Sequence, residues 1–171
     1  MEDLRPNTKK ELPKPIMPMA LAGVLGFVAG ALCMGLLIWT LAPGMMLKTH
    51  ASRYGLDETC QRLQAAITRH GWRCPAIRNM NEAMSKDGVS MERQVRIVEL
   101  CKADYARDVL TTNPEVSTLM PCAFGVYQIE GKTYVTGMNT GLMGTLFGGV
   151  IAEVMGGKVA RDEQEILKEI Q

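Results

Sequence analysis

From Pro15 to Leu47 the chain carries no charged residue. Within that window the run MALAGVLGFVAGALCMGLLIWTLA, Met19 to Ala42, is almost wholly apolar. As an α-helix it would be about 36 Å long, and the hydrocarbon core of a bilayer is about 30 Å thick. A single transmembrane helix is therefore expected over residues 19–42. Pro18 and Pro43 stand at its ends, where proline is tolerated, and Trp39 lies near the outer end as an interfacial aromatic would. A cleaved signal peptide is the competing reading, with Thr40-Leu41-Ala42 as a small-residue cleavage site. Signal cores span only about 7–15 apolar residues, and the polar segment before this run is long and contains Pro6, Pro13 and Pro15. An uncleaved anchor is favoured.

The flanks set the expected orientation. Arg5, Lys9, Lys10 and Lys14 precede the helix, and Lys48 and Arg53 follow it. The basic excess places the N-terminus in the cytoplasm and the rest of the chain outside it, at the cell inner membrane. The expected organisation is a cytoplasmic tail over 1–18, the helix over 19–42, a linker over 43–50 and a domain over 51–171. The membrane is thus the first expected partner. Small residues at Gly26 and Gly30, and at Ala31 and Gly35, recur at the spacing that lets membrane helices approach. The whole chain carries a net charge of +1. No basic stripe of the kind phosphate contacts require is present, so nucleic acid is not an expected partner.

The domain alternates helical and extended patterns. Leu56, Cys60, Leu63 and Ile67 recur at helical spacing, which predicts an amphipathic helix over Leu56–Gly71. Asp57 is placed to cap its start, Gly71 to end it, and His70 to suit the negative end of its dipole. His50 falls in the linker. Trp72–Arg78 reads as a strand with Pro75 at an irregularity, and Asn79–Gly88 as a short helical or loop insertion. QVRIVELC, Gln94–Cys101, reads as a strand, followed by a helix over Lys102–Asn113 with Ala103, Ala106, Val109 and Leu110 inward. Cys122–Ile129 and Lys132–Met138 form a hairpin about Glu130-Gly131, although Glu is an unusual first member of a type I′ turn. That register pairs Tyr127 with Tyr134 and Val126 with Val135.

Side-chain alternation puts Cys122 on one face with Phe124, Val126 and Val135, the better core candidate. The other face carries Tyr127, Tyr134 and Met138, and it can be solvated or can meet a ligand or a second subunit. LMGTLFGGVIAEVMGG then presents Leu142, Met143, Leu146, Phe147, Val150, Ile151, Val154 and Met155 as one helical stripe, with Gly144, Gly148, Ala152 and Gly156 as a second. Interior glycines cost helix stability by roughly 1 kcal/mol each, so something approaches that stripe closely. Tight packing on the sheet and contact with a partner are the two readings. Lys158–Ile170 reads as a charged terminal helix.

The stretch VRIVELCKADYARDVLTTNPEVSTLMPCAFGVYQIEGKTYVTGMNTGLM resembles the core of domain-of-unknown-function family 302. A strand ending in Cys101, an alanine- and aromatic-bearing helix, a Pro121-Cys122 step and a hairpin carry the likeness, which extends over roughly Ala51–Gln171. The resemblance implies an α+β fold, an antiparallel sheet with helices packed on one face, similar to the TATA-binding-protein-like class. It implies no established reaction, and it leaves the cofactor unknown. Some relatives are dimers, so a homodimer is a further expected partner.

The family's sheet, if the strands are antiparallel neighbours, brings Cys101 at the end of one strand to Cys122 at the start of another. Directly opposed residues have Cα atoms about 4.5–5.5 Å apart, within disulfide range. A small buried thiol beside Phe124 is the alternative role for Cys122. Cys60 and Cys74 make a poorer pair.

Three functions remain. The first is a membrane-anchored binding or interaction module using Tyr127, Tyr134, Met138, Gly144 and Gly148. The second is thiol or sulfur redox chemistry at Cys101 and Cys122. The third is metal or haem binding through Cys, His or Met. The chain has 13 methionines, but they are scattered, and Met fills cores more often than it ligates. The motifs G-x-S-x-G, H-E-x-x-H, the P-loop and C-x-x-C do not occur, which disfavours an ordinary hydrolase.

Overall fold

A computed structural model describes residues 17–171, with side chains placed from Leu21 onward. The tail with Arg5, Lys9, Lys10 and Lys14 lies outside the described residues. The chain divides into two units, one ending at Ala42 and the other spanning Pro43–Gln171.

Helix α1 runs from Met17 to Met46 and passes through Pro43 without stopping. Its Leu21–Met46 portion is long and apolar enough to cross a membrane, and none of it is buried. Gly23, Gly26, Gly30 and Gly35 have open space where a Cβ would stand. By length and composition α1 is a candidate membrane span.

The second unit is a five-stranded antiparallel sheet with helices on one face. Its strands are β1 (Leu47–Ser52), β2 (Ile77–Asn79), β3 (Val95–Leu100), β4 (Cys122–Ile129) and β5 (Lys132–Met138), in the order β1-β5-β4-β3-β2. The hairpin follows its sequence pattern. Tyr127 faces Tyr134 and Val126 faces Val135. Glu130 and Gly131 have φ of 50° and 76°, the two positive values a type I′ turn demands.

Strand β1 departs from expectation. LKTHAS lies largely in the stretch read as a linker, yet it pairs with β5 along its full length, Leu47 opposite Met138 and Ser52 opposite Thr133. His50 is therefore a strand residue. At the other edge the segment 72–76 is not a continuous strand. Only Ile77–Asn79 pairs with β3, and Arg73 makes an isolated bridge to Cys101. Pro75 has no N–H to give to a ladder between them.

Helix α2 (Leu56–Arg69) buries Leu56, Thr59, Cys60, Leu63, Ala66 and Ile67, the predicted stripe with two additions. Gly55, not Asp57, stands at its N-cap, and its carbonyl accepts from Thr59 N at 2.9 Å. Asp57 sits in the first turn, where its charge still suits the helix dipole. A short helix α3 (Met80–Lys86) follows β2, and its start is capped by the Asn79 side chain. In α4 (Ala103–Thr112) Val109 is the buried residue, and Ala103, expected inward, is exposed. A 3-10 turn over Pro114–Leu119 leads through a cis Met120-Pro121 bond into β4.

The C-terminal segment is not one helix. Helix α5 (Thr140–Phe147) stops at Gly148, whose φ of 70° and ψ of −165° only glycine adopts readily. The chain reverses through Gly149–Ile151 (α6), continues as a π-helical segment over Ala152–Val159, and ends in α7 (Ala160–Lys168). The two arms pack on each other. A Cβ on Gly144 would lie 2.6 Å from Gly156 Cα. Gly144 and Gly156 are thus filled by each other, across the two halves of their own segment. Leu146 and Phe147 stay exposed at the tip. The core joins Val98, Leu100, Phe124, Val126 and Val135 of the sheet to Leu63 and Ile67 of α2, and to Val154, Val159, Ile166 and Ile170 of the C-terminal segment.

Candidate functional site

Cys122 opens β4 on the helix-covered side, as its alternation with Phe124 and Val126 requires. Its direct cross-strand partner is Leu100. Cys101 is one residue further on, where its N–H and carbonyl exchange hydrogen bonds with Arg73 at 2.9 and 2.8 Å. The two thiols are therefore offset rather than opposed, and both are free. They line one narrow cleft with Trp72, Tyr105, Met120 and Met155, which leaves about 20 Å³ of water-accessible space.

Burial pushes the Cys122 thiol up to about 12, and the nearby Glu163 carboxylate and Cys101 add to the rise. Burial likewise raises Cys60 to about 11 and lifts Cys74. The nucleophile and metal ligand is the thiolate, so at neutral pH Cys122 presents an S–H in an apolar wall.

The rim of that cleft is built by residues the sequence pattern did not single out. Asp162 Oδ2 accepts from Trp72 Nε1 at 3.0 Å, Lys102 Nζ at 3.2 Å and the Tyr105 hydroxyl at 3.3 Å. Trp72 and Tyr105 meet edge to face at 5.6 Å, and Lys102 Nζ stands 4.3 Å from the Tyr105 ring centre. These contacts tie the loop after α2 to α4 and α7. No spacing in the chain announces them, because Trp72 and Asp162 are 90 residues apart.

The opposite sheet face carries Tyr127 and Tyr134 stacked with ring centres 5.9 Å apart and planes 24° from parallel. The Tyr127 hydroxyl bonds Thr136 Oγ1 at 3.1 Å, and Thr136 bonds Thr49 Oγ1 at 2.7 Å. Met138 ends β5 half-buried. Val95 and Ile97 extend the same face across β3, and Arg78 pairs with Glu99 beyond them. The residues of this face remain half-buried or exposed, while α2 and α7 lie on the other side. Gly144 and Gly148, grouped with this face in the sequence reading, are elsewhere: Gly144 abuts Gly156 and Ala152, and Gly148 is a turn.

Glu163 is the functional candidate that the sequence reading missed. It is 8% exposed. The Thr140 hydroxyl donates to its Oε2 at 2.9 Å. Burial raises its carboxyl to about 7, against the lowering effects of that hydrogen bond and of Lys48. It lies between two clefts. One, of about 350 Å³, is lined by Leu119, Met120, Cys122, Met138 and Thr140 among others. The second, of about 180 Å³, adds Lys48, His50 and Phe124. A signal existed: Val159, Glu163, Ile166 and Ile170 recur at 4, 3 and 4, which puts a carboxylate in an apolar stripe. Among the described residues no three of His, Cys, Asp and Glu gather as a metal site. His50 instead meets the Gln171 side chain at 3.0 Å.

A small α+β domain with a one-sided helical layer is the class these features define. Residues 48–170 match the family described as Domain of unknown function DUF302. The chain belongs to that family, and the match begins inside β1, earlier than the expected domain start. Among solved structures, that of an uncharacterised conserved DUF302 protein from Bacillus stearothermophilus is similar. It has a TM-score of 0.66 at 20% identity, covering 74% of this chain and 99% of that one. The likeness shows the fold. No curated protein matches the chain.

Proposed function

We propose that this chain is a single-pass inner-membrane protein, N-terminus in the cytoplasm, whose domain stands outside the cytoplasm as a binding module. The observation that carries the binding role is the sheet face opposite α2 and α7, centred on the Tyr127–Tyr134 stack. Its aromatic and aliphatic residues are flanked by hydroxyls and by an Arg78–Glu99 ion pair. Stacked tyrosines give a rigid, amphipathic contact area of the kind enriched at interfaces.

The occupant is a second copy of the chain. A face that mixes apolar, hydroxyl and paired charges, on a chain of net charge +1, is self-compatible and ill suited to phosphate. Nucleic acid is therefore not its partner. Thiol redox chemistry fits less well, because a Cys122 thiol held near 12 is not a thiolate at neutral pH.

Two measurements test the reading. Protease added to intact spheroplasts digests the domain, and protection of the domain reverses the topology. Cross-linking of the full-length protein in mild detergent yields a dimer, which Tyr134→Lys abolishes and Gly26→Leu with Gly30→Leu leaves intact. A wild type that stays strictly monomeric overturns self-association. Loss of the dimer only in the glycine variants moves it to the anchor.

A further inference from the structure

The sheet face does not account for Glu163. A carboxyl group 8% exposed is expensive to bury and normally meets a cation or several donors. Glu163 has one protein donor, the Thr140 hydroxyl on Oε2. Oε1 has no hydrogen-bond partner among the described residues, and it is not sealed in protein, since no polar side-chain atom there is both buried and unpaired. Among the described residues Glu163 is the only charged side chain lining the 350 Å³ cleft. The walls are Leu47, Leu119, Met120, Pro121 and Met138, with threonine hydroxyls between them.

The titratable groups around Glu163 come from β1 and β4. Lys48 and His50 line the far side with it, and Cys122 lies on the near side. Lys48 acts on Glu163 through its field. Glu163 thus lines a 350 Å³ cleft whose other walls are largely apolar, and its Oε1 accepts from no protein donor among the described residues.

We propose that this cleft binds a small organic cation, a primary ammonium on a short apolar body, with the ammonium donating to the Glu163 carboxylate and the body against Leu119, Met120 and Met138. The ammonium supplies a directly bonded counter-charge where Lys48 supplies only its field, and the walls supply apolar burial. Only the ionised carboxyl attracts it fully. With the free group titrating at about 7, binding below that pH expels the carboxyl proton to solvent.

The probe is n-butylammonium chloride, titrated calorimetrically into the full-length protein in lipid nanodiscs, with empty nanodiscs as the blank and 1-butanol as the uncharged counterpart. Saturable binding is expected, tightening about tenfold from pH 6 to pH 8, with about one proton released per molecule bound at pH 6. Glu163→Gln keeps an acceptor for Thr140 but removes the charge. It should abolish proton release and weaken binding at least tenfold at pH 8. Thr118→Trp, an exposed substitution at the cleft lining, should block binding while leaving the fold intact. The proposal is overturned by any of four results: no saturable binding, 1-butanol bound as tightly as n-butylammonium, wild-type affinity in Glu163→Gln, or wild-type affinity in Thr118→Trp.

Discussion

Replacing Gly144 by alanine separates the observed helical hairpin from the continuous helix that the sequence pattern predicts. In an ordinary helix the change stabilises by about 1 kcal/mol, because glycine has more backbone entropy to lose. Here the new Cβ would stand 2.6 Å from Gly156 Cα, 2.9 Å from Gly156 N and 3.1 Å from Ala152 Cα. All three are backbone atoms, so no side chain can rotate away. Carbon atoms settle at about 3.5–4.0 Å, so α5 and the π-helical segment must separate by about 1 Å. That shift loosens the burial of Val154 and Met155, which are 1% and 3% exposed. Overpacking of this kind costs about 1–3 kcal/mol, and after the propensity gain the net loss is about 0–2 kcal/mol.

Urea melts of the full-length protein, followed by Trp72 emission in a Trp39→Phe background, read this directly. Gly156→Ala should cost less, since its Cβ would lie 3.2 Å from Gly144 Cα. Gly148→Ala meets nothing within 4 Å but carries a φ of +70°, worth about 1–3 kcal/mol of strain. A Gly144→Ala protein about 1 kcal/mol more stable than wild type, the full propensity gain, would refute the hairpin and restore the continuous helix.

Three further outcomes follow from the buried groups. Glu163 titrates at about 7 when folded against an ordinary 4.5, so the folded state holds a proton that the unfolded chain releases. Stability from this group is present below pH 4.5 and lost as pH rises towards 7, by at most about 3 kcal/mol. Melts at pH 5 and pH 8 should show that loss in wild type and a smaller one in Glu163→Gln; equal slopes in the two would contradict it. The Cys122 thiol, raised from 9.0 to about 12, should react with iodoacetamide at pH 8 about a thousandfold more slowly than an ordinary thiol. Labelling of Cys122 within minutes in the folded protein would show a thiolate and revive the redox reading. Asp162→Asn weakens three hydrogen bonds on one oxygen and should cost about 1–3 kcal/mol with a shift in Trp72 emission. An unchanged melt would mean that the cluster does not hold α4 and α7 together.

The hairpin shows how far local chemistry reaches. A two-residue turn ending in Gly131 fixes the register by itself, and the register then assigns Phe124, Val126 and Val135 to one face and Tyr127 and Tyr134 to the other. The α2 stripe and the apolar length of α1 are equally local, because helical period and charge-free length need no knowledge of the rest of the chain. The offset between Cys101 and Cys122 is a longer-range matter. It depends on where β3 stops against β4, and the pairing of Cys101 with Arg73 across a loop decided it.

The sequence by itself determined the charge-free helix, the amphipathic α2, the hairpin and the inward side of Cys122, since each is written in spacings of a few residues. Tertiary structure alone decided that LKTHAS is an edge strand, because its pattern carries no signal until β5 offers a ladder beside it. It also decided that the glycine stripe folds back on itself at Gly148, because a helix with one bare face is stable only against a surface close enough to fill it. And it decided that Glu163 is buried rather than solvated, because the burial of a charged residue is set by what packs over it, here α5 through Thr140 and the end of the sheet through Cys122 and Met138.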